Sequence, residues 1–589
     1  MLTLRGVASS HLKRCLSLYP NISRANRCFR KDNLTTLVKS HENRLPIYQQ
    51  QWIRLSSTAI IRSRYPDAEL PNSSLAEYLT KDFDRFGDEI ALVNGITGES
   101  VTFLEIKERL RSIGSALSRL GYKKGDVFCL FLKNCPEFAL TLWGVTTVGG
   151  VATTANPAYT ADELLHQLSD SNTQFILTTR DLLETTKEAA EKYGKIKRIY
   201  TVGEGDDNEH PFMELISDDG SAYPDDICID VHDDIAVLPY SSGTTGLPKG
   251  VMLTHANCVQ NMAQMSCHQD LLEIKHKHDV SLAVLPFFHI YGMMPVLTNT
   301  VRMGGKVVTL PSFEAELYLS LIEKHKVTIL NIVPPIAVFL AKHEKVSDYD
   351  LSSVEDIVSA AAPLSTDMES ALVERLGRSV VRQGYGMTET APVSHLVPKG
   401  CSRPGSCGVL LPNSFGKIVN PETGEILEAG MDGEICMKGP HIMKGYLNKP
   451  DATKNTIDSD GFLHSGDIGH IDEEGFFYIV DRVKELIKYK GFQVAPAELE
   501  GILLTHSGIL DAAVVGKYDE RAGELPTAFV VLKENSVLSE IDIANFVSSK
   551  VTDLKKLRGG VVIVDEIPKS ASGKILRRIL RDQINNTSN

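Results

Sequence analysis

Short apolar runs alternate with amphipathic segments, and this alternation constrains the chain most. Ile90-Ala91-Leu92-Val93, Val127 to Leu132, Phe175-Ile176-Leu177, Ile199-Tyr200-Thr201 and Ile235 to Leu238 each read as a strand. Between them, Phe103 to Leu120 reads as a helix closed by Gly121, and Cys135 to Gly149 as a second one. Ser74 to Phe86 reads as an amphipathic helix. Strand–helix alternation at this spacing predicts an α/β architecture with largely parallel sheets. At 589 residues the chain is too long for one simple core. A separate small α+β unit is expected near the end: helix Pro496–Leu504, strand Leu510–Gly516, strand Thr527–Leu532 and helix Ile541–Lys550. The charged stretch from Asp481 to Lys484 in front of it reads as an inter-domain linker.

Charge is distributed unevenly. The formal net charge is −13. Residues 1–64 hold twelve Lys/Arg against Asp32 and Glu42, which makes that segment +10 and the remainder −23. An acidic body disfavours nucleic acid as a partner. The basic segment is rich in Arg, Ser and Leu, as mitochondrial transit peptides are. A mitochondrial matrix address is therefore expected, with a cytoplasmic or peroxisomal one as the alternative and a basic extension without an address as the plain reading. The folded part is expected from Tyr65. The ten cysteines form no C-x-x-C pair, which argues against a zinc site or a disulfide framework. Leu282 to Leu297 is apolar but short and broken by Pro286 and Pro295, so it reads as buried core. Peripheral membrane association and oligomeric state stay open.

The motif with most chemistry is Ser241-Ser242-Gly243-Thr244-Thr245-Gly246-Leu247-Pro248-Lys249-Gly250, between two apolar strands. Glycines let backbone N–H groups converge, hydroxyls add donors, and Lys249 adds positive charge, so the loop suits a polyphosphate. It is not a P-loop, because Lys249 lies between Pro248 and Gly250. Alone, such a loop equally makes an ordinary turn.

Further along, Gln383-Gly384-Tyr385-Gly386-Met387-Thr388-Glu389 offers a flat ring for a base, a hydroxyl and a carboxylate for a divalent cation. Asp467, after Ser465-Gly466, is placed for two ribose hydroxyls or for a turn. His289 and Tyr291 sit in an aromatic, apolar stretch, and Val333 and Ala360-Ala361-Ala362 mark small-residue turns. Lys275-His276-Lys277-His278-Asp279 reads as a solvated charged loop in preference to a metal site. Lys574 follows Gly573 on a loop placed to reach across an interface.

Taken together and in order, these motifs resemble the adenylate-forming superfamily, in its branch of 4-coumarate–CoA ligases, acyl-CoA synthetases and beetle luciferases. Gly433-Glu434-Ile435-Cys436-Met437-Lys438-Gly439 resembles the ligase branch's second signature. The resemblance covers roughly Tyr65 to Arg581. It implies a large N-terminal region (65–481) of two α/β subdomains plus a β-barrel-like part, and a small mobile C-terminal domain (482–589). It also implies a two-step reaction: a carboxylate attacks the α-phosphate of Mg-ATP to give acyl-AMP, and CoA then displaces AMP.

By this resemblance Lys574, Thr388, Glu389 and His289 are catalytic positions. Ser241, Ser242, Gly243, Thr244, Thr245 and Lys249 hold the triphosphate. Gln383, Gly384, Tyr385 and Thr388 hold the adenylate, Glu389 holds Mg²⁺, Asp467 takes the ribose, and Arg482 touches the nucleotide. Lys484 is the hinge, and rotation there brings in Lys488, Lys490 and Gly491 for CoA. The acyl pocket is assigned to His289, Tyr291, Met294, Val333, Ala360, Ala361 and Ala362. Ala360 stands where ligases of this branch often carry glycine, which leaves the acid, fatty or aromatic, unassigned. An acid–CoA ligase is thus expected. The alternatives are a luciferase-like monooxygenase, disfavoured by the absence of a terminal Ser-Lys-Leu, and a stand-alone adenylation enzyme loading a carrier protein.

Overall fold

The computed structural model describes residues 60–203, 210–241, 248–377, 380–490, 492–534, 536–570 and 573–586. The expected leader therefore lies almost wholly outside the described residues, as do Ser242, Gly243, Thr244, Thr245 and Gly491. Among the described residues no helix is long and apolar enough to cross a membrane.

Two large α/β sheets form the body. In the first, Ile235–Ser241, Val151–Thr154, Val127–Phe131, Thr173–Thr179, Arg198–Val202 and His210–Pro211 run parallel in that spatial order, and Lys249–Thr254 returns antiparallel beside Ile235–Ser241. In the second, Val380–Gly386, Asp356–Ser359, Ile329–Ile332, Val280–Ala283, Lys306–Thr309 and Ile90–Asn94 run parallel in that order, with antiparallel strands at both edges. Strands such as Val127–Phe131 and Ile329–Ile332 are buried along their whole length, which explains their continuous apolar sequence. The expected helices appear as Phe103–Arg119, capped by Thr102, and Pro136–Thr147, with proline at its first turn.

The β-barrel-like part is a five-stranded antiparallel sheet: Ile61–Arg62, Phe415–Val419, Gly433–Lys438, Leu463–Ile471 and Phe477–Arg482. Its first strand lies inside the segment assigned to the basic extension, so the folded part starts before Tyr65. A second correction concerns Ser74–Phe86. It forms two helices, Leu75–Thr80 and Phe83–Phe86, because the break lets Phe83 and Phe86 both pack on Phe103, with ring centroids 5.1 and 4.9 Å away.

The small C-terminal unit has a sheet of Phe492–Val494, Ile487–Tyr489, Gly523–Leu532, Ile509–Asp519 and Gly560–Ile563. Its strands alternate strictly. Ala512, Val514, Ala528 and Val530 face helices Pro496–Leu504 and Glu540–Ser548, while Ala513, Val515, Phe529 and Val531 face helix Arg577–Asn586. Both faces of the central strands are thus covered.

Candidate active site

The site begins where Ile235–Ser241 leaves the sheet at the carboxyl end of its parallel neighbours, the edge at which α/β sheets bind ligands. Ser241 Oγ donates to Glu389 Oε1 at 3.1 Å, and the Tyr446 hydroxyl donates to the same oxygen at 2.8 Å. The Lys249 ammonium lies 4.4 Å from the centre of the Tyr446 ring. Burial and the adjacent Glu389 push the Tyr446 hydroxyl up, so it stays a donor. Ser241, Lys249 and Glu389, expected to act on the same phosphates and their cation, are therefore neighbours. Tyr446, which links two of them, carries no motif of its own in the sequence.

Asp467 is the second focus. The Tyr385 hydroxyl donates to its Oδ2 at 2.7 Å, and Arg482 Nε stands 3.1 Å from its Oδ1. Burial raises the Asp467 pKa and Arg482 opposes that rise. A carboxylate accepts at about four lone-pair positions, so Tyr385 and Arg482 leave room for ribose hydroxyls.

The turn before Asp467 is braced from behind. Gly466 N–H donates to Glu434 Oε1 at 2.9 Å, and His464 Nδ1 lies 2.8 Å from Glu434 Oε2. His464 Nε2 lies 3.5 Å from Asp458, which Lys417 holds at 3.0 Å. Cys436 lies 3.4 Å from His464 Nδ1, so Glu434, Cys436 and His464 cluster as a metal site would. Protein groups already pair both Glu434 oxygens and both imidazole nitrogens, and the trio is a hydrogen-bonded brace. A second such cluster among the described residues, His278 with Asp279 and Glu355, lies on the charged loop that the sequence assigned to solvent: His278 and Glu355 are exposed, but Asp279 is buried and accepts the Lys275 N–H at 2.6 Å and the Thr328 hydroxyl at 3.0 Å.

Gly384, Tyr385 and Gly386 end strand Val380–Gly386 at this cleft, and Thr388 and Glu389 follow in a single 3₁₀ turn. A Cβ on Gly386 would strike the Pro392 carbonyl. Gln383 needs correction. Its Oε1 accepts the Leu364 N–H at 2.9 Å and its Nε2 donates to the Leu364 carbonyl at 3.1 Å. That reciprocal pair makes Gln383 a clamp on the Ala360–Leu364 turn, with both ends of its amide engaged by backbone.

Beside Tyr385 lies a mainly apolar cavity of about 80 Å³, bordered by His289, Tyr291, Asn331, Ala360, Ala361 and Gly384 among others. Met294, Val333 and Ala362, expected on its wall, do not line it. The reason is the helix Gly292–Asn299, which is a π-helix. Its winding of about four and a half residues per turn brings Tyr291, Pro295 and Thr300 to the cavity and turns Met294 into the core. Val333 instead meets the small domain, 3.1 Å from where a Cβ on Gly573 would be. Asn331 was missed. Its signal was a lone amide in the apolar run Ile329-Leu330-Asn331-Ile332. The Tyr291 hydroxyl gives its one proton to the Val358 carbonyl at 3.0 Å and lies 3.4 Å from Asn331 Oδ1. His289 accepts the Tyr291 N–H at 3.3 Å, and burial beside the positive Lys574 pulls its pKa down to about 4, so it is neutral.

Lys574 reaches this focus from the small domain. Its loop is tight: Lys574 N–H donates to Ser570 Oγ at 3.1 Å and its carbonyl accepts the Ser570 N–H at 2.8 Å. The lysine is half-buried, and its charge acts on both His289 and Asp467. Burial, then Arg482, pull its pKa down to about 8. Lys484 is exposed in the turn between the two domains' sheets. Lys488, in strand Ile487–Tyr489, and Lys490, in the turn after it, are exposed and outside this cluster, with the Lys490 ammonium 5.4 Å from the Tyr489 ring.

Comparison with known proteins agrees with this geometry. Residues 79–447 match the family model for AMP-binding enzymes, and residues 498–574 match the AMP-binding enzyme C-terminal domain. A 4-coumarate–CoA ligase of Vanilla planifolia is 44% identical over 535 residues, covering 89% of this chain and 96% of that protein. A probable 4-coumarate–CoA ligase of Dictyostelium discoideum is 40% identical over 546 residues, covering 90% and 98%. The crystal structure of ATP-bound MatB from Rhodopseudomonas palustris superposes with a TM-score of 0.79 at 27% identity, covering 88% of this chain and all of that one. The chain belongs to the AMP-binding family of adenylate-forming enzymes, as an ATP-dependent acid–CoA ligase that works through an acyl-AMP.

Proposed function

We propose that the acid this ligase activates has an apolar body and a hydroxyl or carbonyl at its far end. Asn331 carries this reading. It is 8% exposed, its Nδ2 has no hydrogen-bond partner among the described residues, and it borders an otherwise apolar cavity. Because the Tyr291 proton already goes to Val358, the Asn331 amide is free to turn either its carbonyl or its N–H₂ edge to the cavity. A hydroxyl both donates and accepts, so it satisfies either edge. The curated relatives are 4-coumarate–CoA ligases, whose named acid carries such a hydroxyl on an aromatic ring.

The reaction then divides among the residues as follows. Ser241 and Lys249 hold the β,γ-phosphate end, Tyr385 shelves the adenine, and Asp467 takes the ribose with Arg482 beside it. Lys574 bridges the acid's carboxylate and the α-phosphate, offsetting charge as the carboxylate oxygen bonds to phosphorus and pyrophosphate departs. In the second step the CoA sulfur attacks the acyl carbon and the bond to AMP breaks. Lys574 has no part there, and rotation at Lys484 exchanges it for the face bearing Lys488, Lys490 and Gly491. Glu389 fits a divalent cation: both its hydrogen bonds go to Oε1, its Oε2 has none among the described residues, and such an unpaired carboxylate oxygen suits Mg²⁺. Bound there, Mg²⁺ would neutralise phosphate charge. A mitochondrial address for the basic N-terminal segment belongs to the same proposal, on its charge alone.

The test is pyrophosphate release across cinnamic and straight-chain acids, each with and without a terminal hydroxyl, with and without CoA. The hydroxylated member of a pair should win by about tenfold or more in kcat/KM, and Asn331→Leu should erase that margin. Equal rates in the wild type, or a margin that survives in Asn331→Leu, would rule the reading out. Light emission without a CoA requirement would favour the luciferase alternative. Cytosolic residence of a reporter fused to residues 1–59 would refute the address.

A further inference from the structure

Three residues beyond Lys574 stands Arg577, whose guanidinium is held in a buried cluster of carboxylates. Its Nη1 lies 2.6 Å from Glu485 Oε2, and its Nη2 lies 2.8 Å from both oxygens of Glu500. Glu500 also accepts the Val514 N–H at 2.8 Å, which roots this pair in the small domain's own sheet. Asp481 accepts the Ala497 N–H at 3.0 Å and adds its charge to Arg577. The side chains of Arg577, Glu485 and Glu500 are 11%, 10% and 11% exposed. One arginine thus serves two buried glutamates, with a third carboxylate close by, and a surplus negative charge in such a place needs further cations. Lys574 and Arg482 are those cations, because the charge of Glu485 acts on both.

Position in the chain gives this cluster a mechanical meaning. Glu485 directly follows Lys484 in the turn that joins strand Phe477–Arg482 to strand Ile487–Tyr489. Arg577 opens the helix that follows the Lys574 loop. Their ion pair therefore connects the inter-domain turn to the segment that presents Lys574. Glu500 holds Arg577 independently of Glu485, so the small domain keeps its fold when Glu485 is neutralised.

We propose that Glu485 is a positioning residue for the adenylating step: by gripping Arg577 it ties the Lys574 loop to the inter-domain turn, and Lys574 arrives as a rigid arm. The same carboxylate favours the charged ammonium, against burial and against Arg482 and Arg577. Asp467 also favours the charge, and the neutral His289 faces the lysine from the acyl pocket. The inference rests on Lys574 acting in adenylation, as the proposed division of the reaction has it.

The experiment uses the full chain with Glu485→Gln and Glu485→Asp. Acyl-AMP formation is read as pyrophosphate release without CoA, and the second step as thioester formation from supplied acyl-AMP, both against pH. Glu485→Gln should slow acyl-AMP formation about tenfold and leave the thioester step within about twofold, since only the first needs Lys574 in place. The alkaline limb of acyl-AMP formation should move to lower pH in Glu485→Gln and return in Glu485→Asp, which keeps the charge on a shorter arm. Equal loss in both steps, an unmoved limb, or wild-type rates would overturn the inference. Lys574→Ala separates the two levels. If acyl-AMP formation survives in it, the assignment of Lys574 itself fails; if it is lost while Glu485→Gln behaves as wild type, only the role of Glu485 fails.

Discussion

At the scale of single residues, Lys574 shows how one burial can affect rate and stability in opposite directions. A lysine that bridges two anions works when protonated. Burial and Arg482 hold its pKa near 8, whereas an unfolded lysine titrates near 10.5. Acyl-AMP formation should therefore fall as pH rises through about 8. Between the two values the unfolded chain keeps a proton that the folded chain has released, so this lysine adds stability as pH rises over that window, while buried tyrosines and thiols whose pKa values are raised, Tyr291, Tyr446, Cys129 and Cys407 among them, take stability away there. Pyrophosphate release against pH in the wild type checks the first effect, and urea midpoints against pH in the wild type and in Lys574→Met check the second. In Lys574→Met the urea midpoint should fall more steeply than in the wild type between pH about 8 and about 10.5, and equal slopes would show that Lys574 keeps its proton in the fold.

At the scale of elements, the π-helix Gly292–Asn299 shapes the acyl pocket. It is anchored by a glycine packed onto carbonyls: a Cβ on Gly292 would strike Pro286 O and lie 2.7 Å from Leu285 O. Backbone cannot swing aside as a flexible side chain can. Gly292→Ala should cost roughly 2 kcal/mol of stability, read as a lower urea midpoint, and raise KM for the acid more than KM for ATP. If the two KM values rose together, the helix would not be specific to the acid pocket. This element also marks where sequence stops being informative. The small domain was legible in part: Pro496 marks the start of helix Pro496–Leu504 and continuous apolar runs mark the two long strands, but strand Gly523–Leu532 begins well before the expected Thr527, and strands Ile487–Tyr489, Phe492–Val494 and Gly560–Ile563 and helix Arg577–Asn586, short or charged, were not read. Ser241, Lys249, Tyr385, Glu389, Asp467 and Lys574 were named from their motifs and from the family resemblance, and the structure brings Ser241 to Glu389, and Tyr385 and Lys574 to Asp467. A π-turn leaves no periodic trace, since one added residue shifts the face without changing composition, and so Met294 was expected where Pro295 stands. Nor does composition tell whether an amide such as Gln383 faces a ligand or its own backbone.

At the scale of the whole molecule, four neutral imidazoles lie buried in the body, two of them, His395 and His441, near each other. His255 accepts the Leu75 N–H at 3.0 Å, His289 borders the acyl cavity, His395 packs behind Tyr385 with ring centroids 5.5 Å apart, and His441 is completely buried. Burial pulls their pKa values down to about 4, 4, 3 and 4. Each stabilises the fold fully above about 6.5, and that stability drains away as pH falls toward the folded values, because the unfolded chain takes up protons that the folded chain refuses. The maximum slope is about 1.4 kcal/mol per pH unit for each group. Asp467, Asp481 and Glu500, whose pKa values are raised by burial, work in the opposite sense at the acid end of this window. A single substitution isolates the histidine contribution. Neither nitrogen of His441 has a hydrogen bond among the described residues, so an apolar side chain of similar size loses no partner there. His441→Leu should match or exceed wild-type stability at neutral pH, and its urea midpoint should fall less steeply between pH about 6.5 and about 4. An equally steep fall would mean that His441 takes up a proton inside the fold as readily as in the unfolded chain.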